Sequence, residues 1–90
     1  MAESILDEAK RLTSGDRQND YDHPAKNFAR VAKMWNGVLA DKLNAKIEPR
    51  DIPLCMICIK LARQARKHKR DNLVDIAGYA RTVALLEGEE

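Results

Sequence analysis

The chain predicts an all-α fold, a small bundle of four helices, one short and three longer, closed by a C-terminal antiparallel helical hairpin. Three observations predict it. Apolar residues recur at helical spacing along almost the whole sequence. No segment alternates apolar and polar residues for long enough to make a strand. Pro24, Pro49 and Pro53 each stand at the start of a periodic stretch, where a missing N–H costs little. With 90 residues, the expectation is a single helical domain over 1–90, small enough that its core is thin.

Ile5, Leu6, Ala9 and Leu12 predict a short first helix that the Ser14-Gly15 pair ends. A polar loop from Gly15 to His23 follows. Pro24 opens a second helix whose apolar face runs through Phe28, Val31, Ala32, Trp35, Val38, Leu39 and Leu43. A connection over Asn44 to Glu48 leads to a third helix from about Pro49 to Lys67, which is expected to bury Ile52, Cys55, Ile59, Ala62 and Ala65. Asp71 is a favourable N-cap type for a fourth helix that buries Leu73, Ile76, Ala77, Ala80, Val83 and Ala84.

Cys55 and Cys58 invite a metal or redox reading. A zinc site needs two further ligands near by, and a redox pair needs a helix start beside a strand. Neither context is present, so the sequence predicts two free cysteines packed in the core. The N-terminus lacks the apolar segment of a signal peptide, and no apolar run approaches the ~20 residues that span a bilayer. The expected setting is soluble, reducing and cytoplasmic, with no membrane partner.

Sixteen Lys+Arg against 14 Asp+Glu give a formal net charge of only +2. That is too little for a surface that coats nucleic acid, so nucleic acid is not the expected partner. The charge is nevertheless concentrated. Lys60, Arg63, Arg66, Lys67, Lys69 and Arg70 form one block without an acid, directly before Asp71, Asp75 and Tyr79. A tight joint near Lys69 folds helices three and four together. Counting outward from it sets Arg63 level with Asp75, and Lys60 level with Tyr79. Asp71, Asp75 and Tyr79 recur every fourth residue along one edge, and Lys60, Arg63 or Gln64, and Lys67 line the facing edge.

Such a groove can be a set of solvated ion pairs worth ~0–1 kcal/mol each. It can also hold a nucleotide, with Arg and Lys on phosphate oxygens, an Asp on a ribose hydroxyl or metal, and the Tyr ring against a base. The loop adds Arg17, Asp20, Tyr21, Asp22 and His23 within a short span, and polar loops on small scaffolds commonly carry function. It is expected to wall or cover the groove. Asp20, Asp22 and His23 could also ligate a divalent metal.

These residues carry a resemblance. The series Arg17, Tyr21-Asp22, Asn27-Phe28, Trp35, then Pro49-Arg50-Asp51, Lys60 to Arg63 and the RDNLVDIAGYA segment from Arg70 to Ala80 resembles a family of small phage and prophage proteins. That family is related to the nucleotide-modification-associated domain of bacteriophages. The resemblance runs from about Ile5 to Leu86 and implies an all-helical fold and an association with phage nucleotide metabolism. A more distant similarity is to MazG-like all-α nucleoside triphosphate pyrophosphohydrolases, which bind magnesium through an ExxE and a later ExxD pair. Asp71 and Asp75 stand where the later pair would, one residue further apart, but the second helix has no acid before Asp41 to supply the first pair. Two-metal phosphate chemistry needs several converging carboxylates.

The favoured reading is a non-enzymatic binder of a nucleotide-derived signal, a cyclic dinucleotide or an ADP-ribose derivative, that sequesters it from host defence as a sponge. The ligand-binding set is Arg17, Tyr21, His23, Asn27, Lys60, Arg63, Lys67, Asp71, Asp75 and Tyr79, with no catalytic residue, cofactor or metal. The alternative is a magnesium-dependent nucleotide hydrolase using Asp71 and Asp75 with Asp20 and Asp22. A second alternative is a module binding a host protein or the nucleic-acid backbone through Arg66, Lys67 and Lys69. The small core also predicts a homo-oligomer, a dimer or a higher even-numbered assembly.

Overall fold

The computed structural model describes residues 2–14 and 24–90, and every described element is helical. α1 spans Ile5–Leu12, α2 Pro24–Val38, α3 Asp51–Arg66 and α4 Arg70–Leu86, with a single 3₁₀ turn at Ala40–Lys42. The four-helix, all-α architecture read from periodicity is therefore the observed one.

Ser4 starts α1: its Oγ accepts the Asp7 N–H at 3.0 Å, and Asp7 and Glu8 in the first turn complement the helix dipole. The helix closes at Thr13, whose N–H and Oγ1 both donate to the Ala9 carbonyl, at 3.1 and 2.8 Å.

α2 ends at Val38 instead of continuing to Leu43. Asn36 supplies the reason. Its Nδ2 donates to the Ile47 carbonyl at 3.0 Å and its Oδ1 accepts the Ile47 N–H at 2.8 Å, a paired amide contact that folds the following connection back onto α2. Val38, expected on the apolar face, is 82% exposed.

α3 begins where the Asp51 carboxylate accepts the Glu48 N–H at 2.8 Å, and Pro53 sits buried in its first turn. The N-cap of α4 is Lys69 in an extended conformation, not Asp71, which falls in the first turn. Lys69 has no side chain able to cap, so the orphan donor at this end is met from α3: Gln64 Oε1 accepts the Lys69 N–H at 3.1 Å and Asn72 Nδ2 at 3.4 Å. α4 closes in a Schellman motif, with Glu89 N–H donating to the Ala84 carbonyl at 2.8 Å, Gly88 N–H to Leu85 at 3.3 Å, and Gly88 at φ 77°.

α4 is the central helix. α3 packs on it as the antiparallel half of the hairpin and α1 on another side, while α2 makes lighter contact with both α3 and α4. α1 runs parallel to α4. Arg70 at the start of α4 pairs with Glu8 and donates to the Glu3 carbonyl at 2.8 Å, whereas Thr13 meets Arg81 and Gly78 near its end. A Cβ on Gly78 would stand 3.4 Å from Thr13 Cγ2, which is how closely α1 approaches.

The core differs from the sequence expectation in which faces it uses. Ala9, Ala32, Ile52, Pro53 and Val74 are the buried apolar side chains among the described residues, with Asn72 and Thr82 beside them as buried polar ones. Thr82 is satisfied by donating to the Gly78 carbonyl at 2.9 Å. Cys55, Cys58, Ile59, Ala62 and Ala65, expected inside, are exposed, and so is Ala80. The hairpin turns Lys60 and Gln64 inward to meet Asp75 and Asn72, and that rotation carries the apolar stripe of α3 outward.

Candidate functional site

The facing edges of α3 and α4 meet at Lys60 and Asp75. Lys60 Nζ lies 2.8 Å from Asp75 Oδ2, with side chains 16% and 36% exposed. The neighbouring contact one turn on is Gln64 with Asn72, and Gln64 Nε2 also lies 2.8 Å from His68 Nδ1. These two contacts fix the register. Lys60 stands level with Asp75 and Arg63 falls opposite the Asn72 turn, so the expected alignment of Arg63 with Asp75 and Lys60 with Tyr79 is displaced by about one turn. The cause is the joint: α4 starts at Arg70 and the hairpin folds about His68, not Lys69.

Arg63, Arg66, Lys67 and Lys69 are all exposed, and none has an ion-pair partner among the described residues. Lys67 is the C-cap of α3, its N–H donating to the Arg63 carbonyl at 3.1 Å. Part of this basic character serves the helix, because cations complement the negative end of its dipole. Four cations around one terminus exceed that need and leave a surface that attracts anions.

Asp71 is exposed and Tyr79 half-buried, both on the edge of α4 that carries Asp75. By the observed register Tyr79 lies a turn beyond Lys60, level with Met56. Of the sequence-predicted set, Lys60 and Asp75 are in direct contact; Arg63, Lys67 and Asp71 surround the same hairpin end. Arg17, Asp20, Tyr21, Asp22 and His23 lie outside the described residues, as does the side chain of Asn27. Among the described residues no group of three or more His, Cys, Asp or Glu comes together.

Two side chains that organise this region were not singled out from sequence. Arg81 Nη1 donates to the Thr13 carbonyl at 3.1 Å, to Thr13 Oγ1 at 2.9 Å and to Ser14 Oγ at 2.7 Å, tying the end of α1 to α4. Its Nε lies 2.9 Å from a Glu90 carboxylate oxygen, close enough for an ion pair but too poorly aligned for a hydrogen bond. Asn72 is the other. It donates Nδ2 to Gln64 Oε1 on α3, which also accepts the Lys69 N–H because the helix starting behind Lys69 has no capping side chain of its own. Beside the start of α4, where Arg70 also reaches the Glu3 carbonyl, the Arg11 guanidinium hydrogen-bonds Glu3 at 3.0 Å and holds its carboxyl below the usual glutamate value.

No helix among the described residues is long and apolar enough to cross a membrane. Residues 4–87 match the family described as Domain of unknown function (DUF6378). The chain is 41% identical over 81 residues to the Gene 55 protein of Mycobacterium phage D29, an alignment covering 89% of this chain and 51% of that protein. It is 37% identical over 78 residues to the Gene 55 protein of Mycobacterium phage L5, covering 86% of this chain and 48% of the relative. The chain thus spans about half the length of the curated relatives it matches. No solved structure matches it. The expectation of a phage protein family is met at this level, and the chain belongs to the family described as Domain of unknown function (DUF6378).

Proposed function

We propose that the protein binds a nucleotide-derived anion, a cyclic dinucleotide or an ADP-ribose-type molecule, at the α3–α4 hairpin and sequesters it intact from host defence. The observation that carries this reading is the contrast between two neighbouring cations. Lys60 is largely buried and committed to Asp75, whereas Arg63 is exposed with no ion-pair partner among the described residues. A planar guanidinium standing free beside a fixed ion pair suits bidentate contact with phosphate. Asp71 is left to accept from a ribose hydroxyl.

Retention is favoured over cleavage by the same pair. Asp75, one of the two carboxylates available to a hydrolase on α4, already has its charge balanced by Lys60 at 2.8 Å. Two-metal phosphate chemistry asks for several carboxylates free to converge on the ions. The phage origin of the relatives supports the setting, since a phage gains from removing a host signal.

Calorimetric titration against a panel of nucleotides, cyclic dinucleotides and ADP-ribose derivatives tests this. Binding tighter than ~100 μM, about −5.5 kcal/mol, is expected for at least one member. Chromatography after long incubation with Mg²⁺ or Mn²⁺ should return that ligand unchanged. A panel without a binder overturns the reading, and a cleaved ligand replaces sequestration by hydrolysis.

A further inference from the structure

The outer face of α3 is built the wrong way round for a helix on the surface of a monomer. Lys60 and Gln64 turn in toward α4 on the same side as the buried Ile52 and Pro53, and the apolar residues of the opposite face turn out. Leu54, Cys58, Leu61 and Ala65 are all exposed, Leu54 at 48% and Leu61 at 53%, and Ile59 and Ala62 flank them, also exposed. The first four are spaced by four, three and four residues, the heptad interval at which one helix seats on another. No charged side chain interrupts that seam. A helix that buries Ile52 and Pro53 on its inner face and is apolar on its outer face as well belongs in an interior.

We infer that this seam is the interface of a homodimer, in which α3 packs against α3 of a second copy in antiparallel orientation about a twofold axis. Three observations select a second copy. The accessible surface is 6741 Å², against about 5,300 Å² for a compact monomer of this mass. That excess, roughly 1,400 Å², is larger than the ~800 Å² per partner that a stable interface of standard size removes. The radius of gyration, 14.2 Å, likewise exceeds the ~12 Å of a self-contained 90-residue domain.

Charge completes the case and fixes the direction. At the start of α3 Glu48 and Asp51 outnumber Arg50, which pairs with Glu48 at 3.1 Å, and Arg66 and Lys67 stand at its end. An antiparallel copy sets the acids of each chain beside the bases of the other at both ends, and opposes the two helix dipoles. A parallel copy would set like against like. The seam is self-complementary in size as well, since Cys58 and Ala65 leave room for the leucines of the opposite helix. This inference does not depend on the ligand proposed above.

Light scattering over a range of concentrations, under reducing conditions, reads the assembly directly. The expected mass is about twice the 10.2 kDa of one chain. Leu61→Glu should raise the dissociation constant at least about thirtyfold, the effect of losing one central anchor, with helicity by circular dichroism retained. Because Leu61→Glu could also impair folding, the wild-type thiols provide an independent reading. Maleimide labelling of Cys58 should slow at least about tenfold between a dilute and a concentrated sample, as its helix becomes covered. A wild-type mass of one chain with concentration-independent Cys58 labelling overturns the proposal and assigns the face to a different partner. An assembly that survives Leu61→Glu in the folded variant overturns it too.

Discussion

Lys60 and Asp75 form a part-buried ion pair, Nζ to Oδ2 at 2.8 Å, that joins the two helices of the hairpin through their inner faces. Each charge is shielded from water and each depends on the other. Removing one partner should therefore cost more than removing both. Lys60→Met or Asp75→Asn alone is expected to lower stability by about 1–3 kcal/mol, because a half-buried charge is left unpaired. The double variant should recover about 1 kcal/mol of that loss. Urea denaturation of the four proteins in a double-mutant cycle measures the coupling; additive losses would show that the pair is no more than a surface contact.

Gln64 carries the joint. Its Oε1 accepts from both the Lys69 N–H and Asn72 Nδ2, and Asn72 is 5% exposed. Gln64→Ala would remove the acceptor that the Lys69 N–H and Asn72 share and leave a buried amide unsatisfied. A loss of about 2 kcal/mol is expected. Amide exchange should quicken first in the opening turn of α4, and an unchanged exchange pattern would contradict the capping role.

The helices were legible in the sequence because their starts and apolar periods are strong local signals. Pro24 and Pro53 each lie where such a signal places them. What was not legible was rotation. Cys55, Ile59, Ala62 and Ala65 form as good an apolar stripe as any in the chain, yet they face outward, since Lys60 and Gln64 find partners across the hairpin. Periodicity reports that a face is apolar and cannot say whether this chain or another one covers it. The end of α2 was misread for a related reason: the Asn36 amide pairs with Ile47, a contact between distant residues that no local rule anticipates. At the site, the composition of the basic block was plain, but the division between a committed Lys60 and a free Arg63 depends on a register set by His68 and Gln64 at the joint.

Arg81 fastens α1 to the bundle. Its Nη1 donates to the carbonyl and hydroxyl of Thr13 and to the hydroxyl of Ser14, while its side chain is 21% exposed. Arg81→Ala should cost about 2 kcal/mol, since it removes a charged donor shared by the Thr13 carbonyl and hydroxyl and the Ser14 hydroxyl. Arg81→Lys should not restore the loss, because an ammonium lacks the planar fork that meets these acceptors. Limited proteolysis offers a second reading: cleavage within residues 2–14 should accelerate in both variants and stay slow in the wild type.

The Glu3–Arg11 pair predicts a small acid-side sensitivity. Glu3 lies at the surface, and the hydrogen bond from Arg11 is the main cause of its lowered pKa. A carboxylate with a lower pKa in the folded state than in the unfolded one stabilises the fold above the unfolded value. That contribution fades as the pH falls through the folded value. The window therefore lies below the ordinary glutamate range, and stability near neutral pH should not respond. Carboxyl-carbon NMR titration should show Glu3 moving back toward the ordinary value in Arg11→Ala.

Arg63 provides the sharpest test of ligand binding, because it is the exposed guanidinium nearest in sequence to the fixed Lys60–Asp75 pair. Arg63→Glu should weaken capture of a phosphate-bearing ligand at least about a hundredfold, the loss of a bidentate charge-assisted contact plus the gain of a repulsion. Arg63→Lys should recover only part of it, for an ammonium keeps the charge without the fork. Lys69→Glu, in the joint, should act mainly through long-range attraction, so its effect should shrink about severalfold between low and high salt as screening shortens. If Arg63→Glu and Lys69→Glu weaken binding equally and with the same salt dependence, the block works as a diffuse basic patch and the contact assigned to Arg63 is wrong.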